Sequence, residues 1–178
     1  MPLELFHISD QPNIARFEPR PPPSPRPGLE GAMVWAIDLA HLHNYLLPRD
    51  CPRVTFYATP ASDPADVARL MAGVSARHVV AIEAGWLPAV RAARLYQYAL
   101  PPASFELNDA GAGYYISREP VAPSRVTPID DLLAALLAHD VELRVMPSLW
   151  RLCDTVVASS LQFSIIRMRN AQPREELA

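Results

Sequence analysis

The turn Pro48-Arg49-Asp50-Cys51-Pro52-Arg53 carries the side chains most easily read as chemistry. Its two prolines fix φ and stiffen the loop, which would hold both guanidinium groups near one place as an anion-facing corner. Cys51 lies between the arginines, where positive neighbours would lower the pKa of an exposed thiol, although neither supplies the general base that nucleophilic catalysis needs. His41-Leu42-His43 offers two imidazoles, but on the helix predicted there they diverge by about 200° and do not share one ion. With no H-E-x-x-H and no cysteine cluster, no metal site is expected. Glu83, on an otherwise apolar strand, and Glu119, just after Gly-Tyr-Tyr-Ile-Ser, are candidate working carboxylates, each of which could instead pair with an arginine. Asp130-Asp131 opens a helix, where carboxylates favour the dipole, and reads as a cap. There is no G-x-S-x-G elbow, and no G-x-G-x-x-G loop to cradle a pyrophosphate.

Composition narrows the choice further. A chain of 178 residues, half of them apolar, is long enough for one hydrophobic core, and a single domain over residues 1–171 is expected. All 16 basic residues are arginine. Without lysine, Schiff-base chemistry, pyridoxal phosphate attachment and a Walker-type phosphate loop lose their amine. A net charge of -3 and the lack of a basic run argue against a broad nucleic-acid-binding face. Cys51 and Cys153 are far apart and form no C-x-x-C pair, so two buried thiols in a reducing cytoplasm are expected. The opening residues MPLELFHISDQPN lack the pattern of an export signal, and no apolar run reaches membrane-span length, so the protein is expected to be soluble and cytoplasmic.

The elements that must position these side chains follow from pattern. Leu3 to Ser9 reads as a strand, with His7 near its end. Residues 18–31, EPRPPPSPRPGLEG, are too rich in proline for helix or central strand and read as a connector within the domain rather than an SH3-type ligand. Met33 to Ile37 is a strand, Asp38 an N-cap, and Leu39 to about Leu47 a helix that Pro48 ends. Strands are expected over Arg53 to Thr59, His78 to Ala84 and Leu95 to Leu100, with helices over Ala65 to Ala72 and Trp86 to Ala93. Phe105 to Leu107 and Gly113 to Ser117 form a hairpin around Asp109-Ala110-Gly111-Ala112. Then come helix Ile129 to Ala138, strand Val141 to Met146, helix Leu149 to Ser159 and strand Phe163 to Arg169, read as a β-α-β crossover adding parallel edge strands. Residues 172–178 are expected to fray. The expected class is α+β (mixed α/β), with one central mixed sheet of about seven or eight strands and flanking helices.

Two resemblances add to this. From LFHIS through VWAIDLAHLHNYLLPRDCPRV, LYQYALP and AGYYIS to ASSLQFSIIRMRNA, the chain resembles a bacterial family known only as a domain of unknown function. A strand ending in His, an aromatic-bearing strand running into a helix, and a late strand followed by Glu resemble the order of parts in ADP-ribosyltransferases of the His-Tyr-Glu type. That likeness implies an ADP-ribosyltransferase-like first part that binds NAD, without a metal. It implies that His7 meets the adenosine ribose, Trp35 stacks on nicotinamide, and Glu119 steadies the ribosyl cation. Ile8-Ser9 stands where such transferases have Gly-Thr, and Trp35 where they have Tyr. In the structural alternative His7 is a satisfied strand-end histidine, Trp35 a core aromatic, and Glu119 a partner for Arg118 or Arg125.

Two functions follow as expectations. One is an enzyme-like domain that binds an anionic nucleotide, NAD above all, in a cleft lined by His7, Arg16, Arg20, Trp35, Arg49, Arg53 and Glu119, for transfer or cleavage at the nicotinamide–ribose bond. A further possibility is an RNA-end-processing relative of the same transferase fold, in which arginines replace the glutamate. The other is a noncatalytic binding domain whose arginine turn recognises a phosphate or carboxylate on a partner.

Overall fold

The structure, a computed structural model, describes residues 3–22 and 29–174. In chain order its strands are β1 (Leu5–Ser9), β2 (Val34–Asp38), β3 (Arg53–Tyr57), β4 (His78–Glu83), β5 (Leu95–Leu100), β6 (Glu106–Asp109), β7 (Tyr114–Ser117), β8 (Arg125–Ile129), β9 (Val141–Met146) and β10 (Gln162–Ile166). Its α-helices are α1 (Pro64–Leu70), α2 (Leu87–Ala92), α3 (Leu132–Ala138) and α4 (Trp150–Val157). The class is α+β, as expected. The strands, however, divide between a six-stranded and a four-stranded sheet instead of one. The chain correspondingly forms two compact units, one from residues 1–45 and 94–130, the other from 46–93 and 131–178.

In the first unit the strand order is β6-β7-β2-β1-β5-β8, and every neighbouring pair is antiparallel. Side chains alternate between faces along each strand. One face gathers Leu5, Phe17, Val34, Ala36, Tyr98, Leu100 and Val121. The other gathers Phe6, Ile37 and Leu42, the last from the helix that follows β2. The segment after β1 is held to the first face by the buried Tyr98, whose hydroxyl donates to the Gln11 carbonyl and accepts from the Ile14 amide at 3.2 Å. Strand β8 contains Pro128 and lies at the sheet edge, where a missing N–H costs no ladder bond; the sequence pattern had assigned its last residue, Ile129, to a helix. Arg20 and Met33 exchange both backbone hydrogen bonds at 3.0 Å, so the proline-rich connector leaves and re-enters this unit at one point. Its residues 23–28 lie outside the described ones.

Leu39–Tyr45 is a 3-10 helix, not the α-helix expected to reach Leu47. Its residues LAHLHNY include two His, an Asn and a Tyr, all middling α-helix formers, and the Asp38 carboxylate bonds the amide three residues on.

In the second unit the order is β10-β3-β4-β9. β4 is buried along its whole length, as a central strand requires. It runs parallel to β9, whereas β10 is antiparallel to β3 on the opposite edge, so only one of the two expected parallel pairings forms. Helix starts follow their caps: Asp63 accepts from the Ala65 amide at 2.7 Å with Pro64 in the first turn, and Asp131 accepts from Ala134 at 3.0 Å. The core holds Val54, Phe56, Val79, Ala81, Leu149 and Val156.

Phe56→Ala removes a ring with no solvent exposure and is expected to lower unfolding stability by about 3–5 kcal/mol. Phe163→Ala, on edge strand β10 with 44% exposure, is expected to change it by no more than about 0.5 kcal/mol. Urea denaturation of the two variants side by side reads the contrast.

Candidate functional site

The side chains expected to form a nucleotide cleft are placed as follows. His7 pairs with Tyr98 across β1 and β5, and its ring lies 4.7 Å from that of Phe17, on the face with Leu5 and Ala36. Its Nδ1 is 3.1 Å from the Trp35 carbonyl oxygen, at the point where the β1–β2 pairing has ended with Phe6 and Ile37. Trp35 projects to the opposite face, its indole edge-on to Tyr114 at 5.7 Å. The sheet therefore separates the imidazole and indole. Glu119 is exposed in the bend after β7, with its backbone amide bonded to the Ser117 hydroxyl at 3.2 Å. Arg16 is exposed and ion-paired with Glu18 at 3.0 Å, and Arg20 is exposed.

The arginine turn belongs to the second unit. Arg49 is exposed, but Arg53 is buried, and its guanidinium donates to the carbonyls of Pro48 (3.2 Å) and Cys51 (2.9 Å). Those two bonds close the turn on itself. Cys51 has no exposure, and burial, only partly offset by the Arg53 charge and reinforced by Glu83, pushes its thiol up to about 11. That is the opposite of an activated cysteine. Glu83 is buried at the end of β4, where its carboxylate accepts the backbone amides of Leu149 (3.4 Å) and Gln172 (2.9 and 3.2 Å). Gln172, expected to fray, is held in place by these bonds.

A different set of side chains comes together where β2 runs into the 3-10 helix. Asp38 Oδ1 accepts from the backbone N–H of His41 at 2.9 Å and sits 2.7 Å from His41 Nδ1. An ionised carboxylate only accepts, so Nδ1 is the ring nitrogen that carries the proton towards Asp38. Both side chains are half-buried, 15% exposed for His41 and 23% for Asp38. The β6–β7 hairpin closes over the pair at Gly113, whose carbonyl accepts the Asp38 amide at 3.0 Å. Gly113 has φ +67°, and a Cβ there would fall 2.3 Å from His41 Nδ1 and 2.7 Å from Asp38 Oδ1. Next in the chain, Tyr114 bonds the Tyr45 hydroxyl through its own and stacks edge-on with Trp35, making a row Trp35–Tyr114–Tyr45. In the sequence, Asp38 reads only as a cap and His41 as a helix-surface or core-edge residue. The signal that could have joined them is the Asp-x-x-His spacing on a helix with three residues per turn.

Among the described residues, no group of three or more His, Cys, Asp or Glu could hold a metal ion, and no helix is long and apolar enough to cross a membrane. Taken together, an all-antiparallel sheet with an Asp–His pair at a strand-to-helix junction defines an α+β protein with a potential acid–base site. The chain belongs to the family of unknown function DUF6886, whose model matches residues 6–171. No curated protein and no solved structure matches it.

Gly113→Ala is expected to lose about 1–2 kcal/mol from the left-handed backbone alone, and more from displacing His41. Gly111→Ala, whose Cβ would meet Asp109 at an ordinary 3.5 Å, is expected to melt close to wild type. Thermal melts compare the two, and the His41 Nδ1–H resonance should disappear only in the first. The raised thiol gives a second outcome. Cys51 keeps its proton in the fold at pH values where the unfolded chain has lost it, so its contribution is intact below about pH 9 and is lost as pH rises towards 11. Urea titrations from pH 8 to 11 should show that decline in wild type and a shallower one in Cys51→Ala, where only Cys153, also raised by burial, remains.

Proposed function

We propose that the first unit is an enzyme-like domain in which His41, oriented by Asp38, moves a proton on a small ring-bearing ligand. A nucleotide is the class the neighbouring side chains suit best. The carrying observation is the 2.7 Å Asp38–His41 contact on a carboxylate that also caps the His41 amide. A carboxylate held in two directions cannot swing away, so the ring keeps one orientation and one tautomer. Nε2 then serves as general base towards a water or ligand hydroxyl, and Asp38 stabilises the imidazolium that forms. The row Trp35–Tyr114–Tyr45 supplies π faces and edges of the kind on which bases and nicotinamide-type rings stack. NAD is one member of this class, and cleavage or transfer at its nicotinamide–ribose bond is one such reaction. The free thiols of Cys51 and Cys153 suit action in the reducing cytoplasm.

The test combines thermal shift and calorimetry with NAD, ADP-ribose, AMP and adenosine, followed by product detection by mass spectrometry. Wild type is expected to gain stability with at least one of them. His41→Gln should keep that binding while losing turnover by about 10²–10⁴-fold, the usual worth of a general base. Trp35→Ala should lose the binding itself. No ligand effect at millimolar concentration, or full turnover in His41→Gln, overturns the proposal.

A further inference from the structure

Residues 170–174 lie across the second unit through polar attachments alone. Asn170 Nδ2 donates to the Asp50 carbonyl at 2.8 Å. The Gln172 amide donates to the Glu83 carboxylate, and its carbonyl accepts from the Trp150 indole N–H at 2.7 Å. Arg174 pairs with Asp154 at 2.7 Å and places its guanidinium 4.7 Å from the Trp150 ring centroid. None of the five residues is buried, so no apolar side chain anchors the segment. Glu83, which Gln172 holds, is closed to solvent at 1% exposure, and so at 0% is Cys51, which follows the Asp50 carbonyl that Asn170 grips and whose thiol feels the Glu83 charge.

Hydrogen bonds and exposed ion pairs each contribute little net stability, whereas β3 and β4 beneath are held by a packed apolar core. A segment attached this way opens at far lower cost than the whole unit. We propose that residues 170–174 are a releasable strap, and that lifting it exposes the Glu83 carboxylate and the Cys51 thiol without unfolding the sheet. The strap covers the carboxyl ends of the parallel strands β4 and β9, where Glu83 and Met146 are paired. The raised thiol accords with a closed state that keeps Cys51 unreactive.

Gln172→Pro deletes the N–H that Glu83 holds, and Ala171, at φ −68° and ψ 161°, already has a conformation that tolerates a following proline. Trp150→Phe keeps the ring and removes the indole donor. Labelling of the full chain with N-ethylmaleimide, with modified Cys51 quantified by mass spectrometry, reads strap opening. Amide exchange in β3 and β4 reads global opening. Gln172→Pro is expected to label Cys51 at least about tenfold faster than wild type, as loss of one hydrogen bond to a charged acceptor implies, and Trp150→Phe several-fold faster, with β3 and β4 exchange unchanged. Unchanged labelling in both variants, or labelling that rises only in step with β3 and β4 exchange, overturns the strap.

Discussion

The Asp38 carboxylate is the interaction on which the candidate site of the first unit depends. A 3-10 helix has three residues per turn, so positions i and i+3 eclipse, and a side chain at the last strand residue can reach both the amide and the ring of the residue one turn on. Asp38 does this with His41. One oxygen therefore starts the helix, selects the imidazole tautomer and fixes the ring. In an α-helix the same spacing would place the two positions about 60° apart around the axis. The helix runs on for seven residues, Leu39–Tyr45, which is long for a 3-10 helix.

The second unit meets the cost of burying charge in a different way. An isolated ion in an apolar interior costs several kcal/mol unless hydrogen bonds compensate it. Arg53 turns its guanidinium to carbonyls and Glu83 its carboxylate to amides. Each charge finds the complementary half of the peptide group, and each thereby fixes a loop: Arg53 the turn before β3, Glu83 the entry to α4 and the chain beyond β10. Both residue types suggest catalysis in a sequence, yet here their hydrogen bonds are with the protein itself.

How much could be read in advance follows from which forces are local. β5 and β9 were legible to the residue because apolar positions recur at strand spacing along them, as Val141, Leu143 and Val145 do around Glu142 and Arg144, and Asp63 and Asp131 marked helix starts because capping is decided within a few residues. The division into two sheets was not legible, since a strand's pattern says that it pairs but not with which partner. Arg53 was read both as the end of the turn and as the start of a strand, and β3 does begin there; what the pattern did not show is that its side chain is buried with the rest of Arg53 to Phe56. His7 and Trp35 looked compatible with one cleft because their faces depend on register, which short segments do not encode.

Register also explains why the aromatic row and the Asp–His pair share a site. β2 delivers Trp35 and Ile37 to one face, and β7 delivers Ile116 and Tyr114 opposite them. A slip of one residue would replace Tyr114 by Tyr115 and turn the tyrosine hydroxyl away from Tyr45. What sets this pairing is the β6–β7 turn, where Gly113 takes a left-handed conformation just before Tyr114. That same glycine binds the Asp38 amide and lies against the His41 ring. The Asp–His pair and the aromatic row are therefore not two independent features of one surface: the turn that places Tyr114 beside Trp35 also closes over the carboxylate and imidazole, so a change in its backbone alters both together.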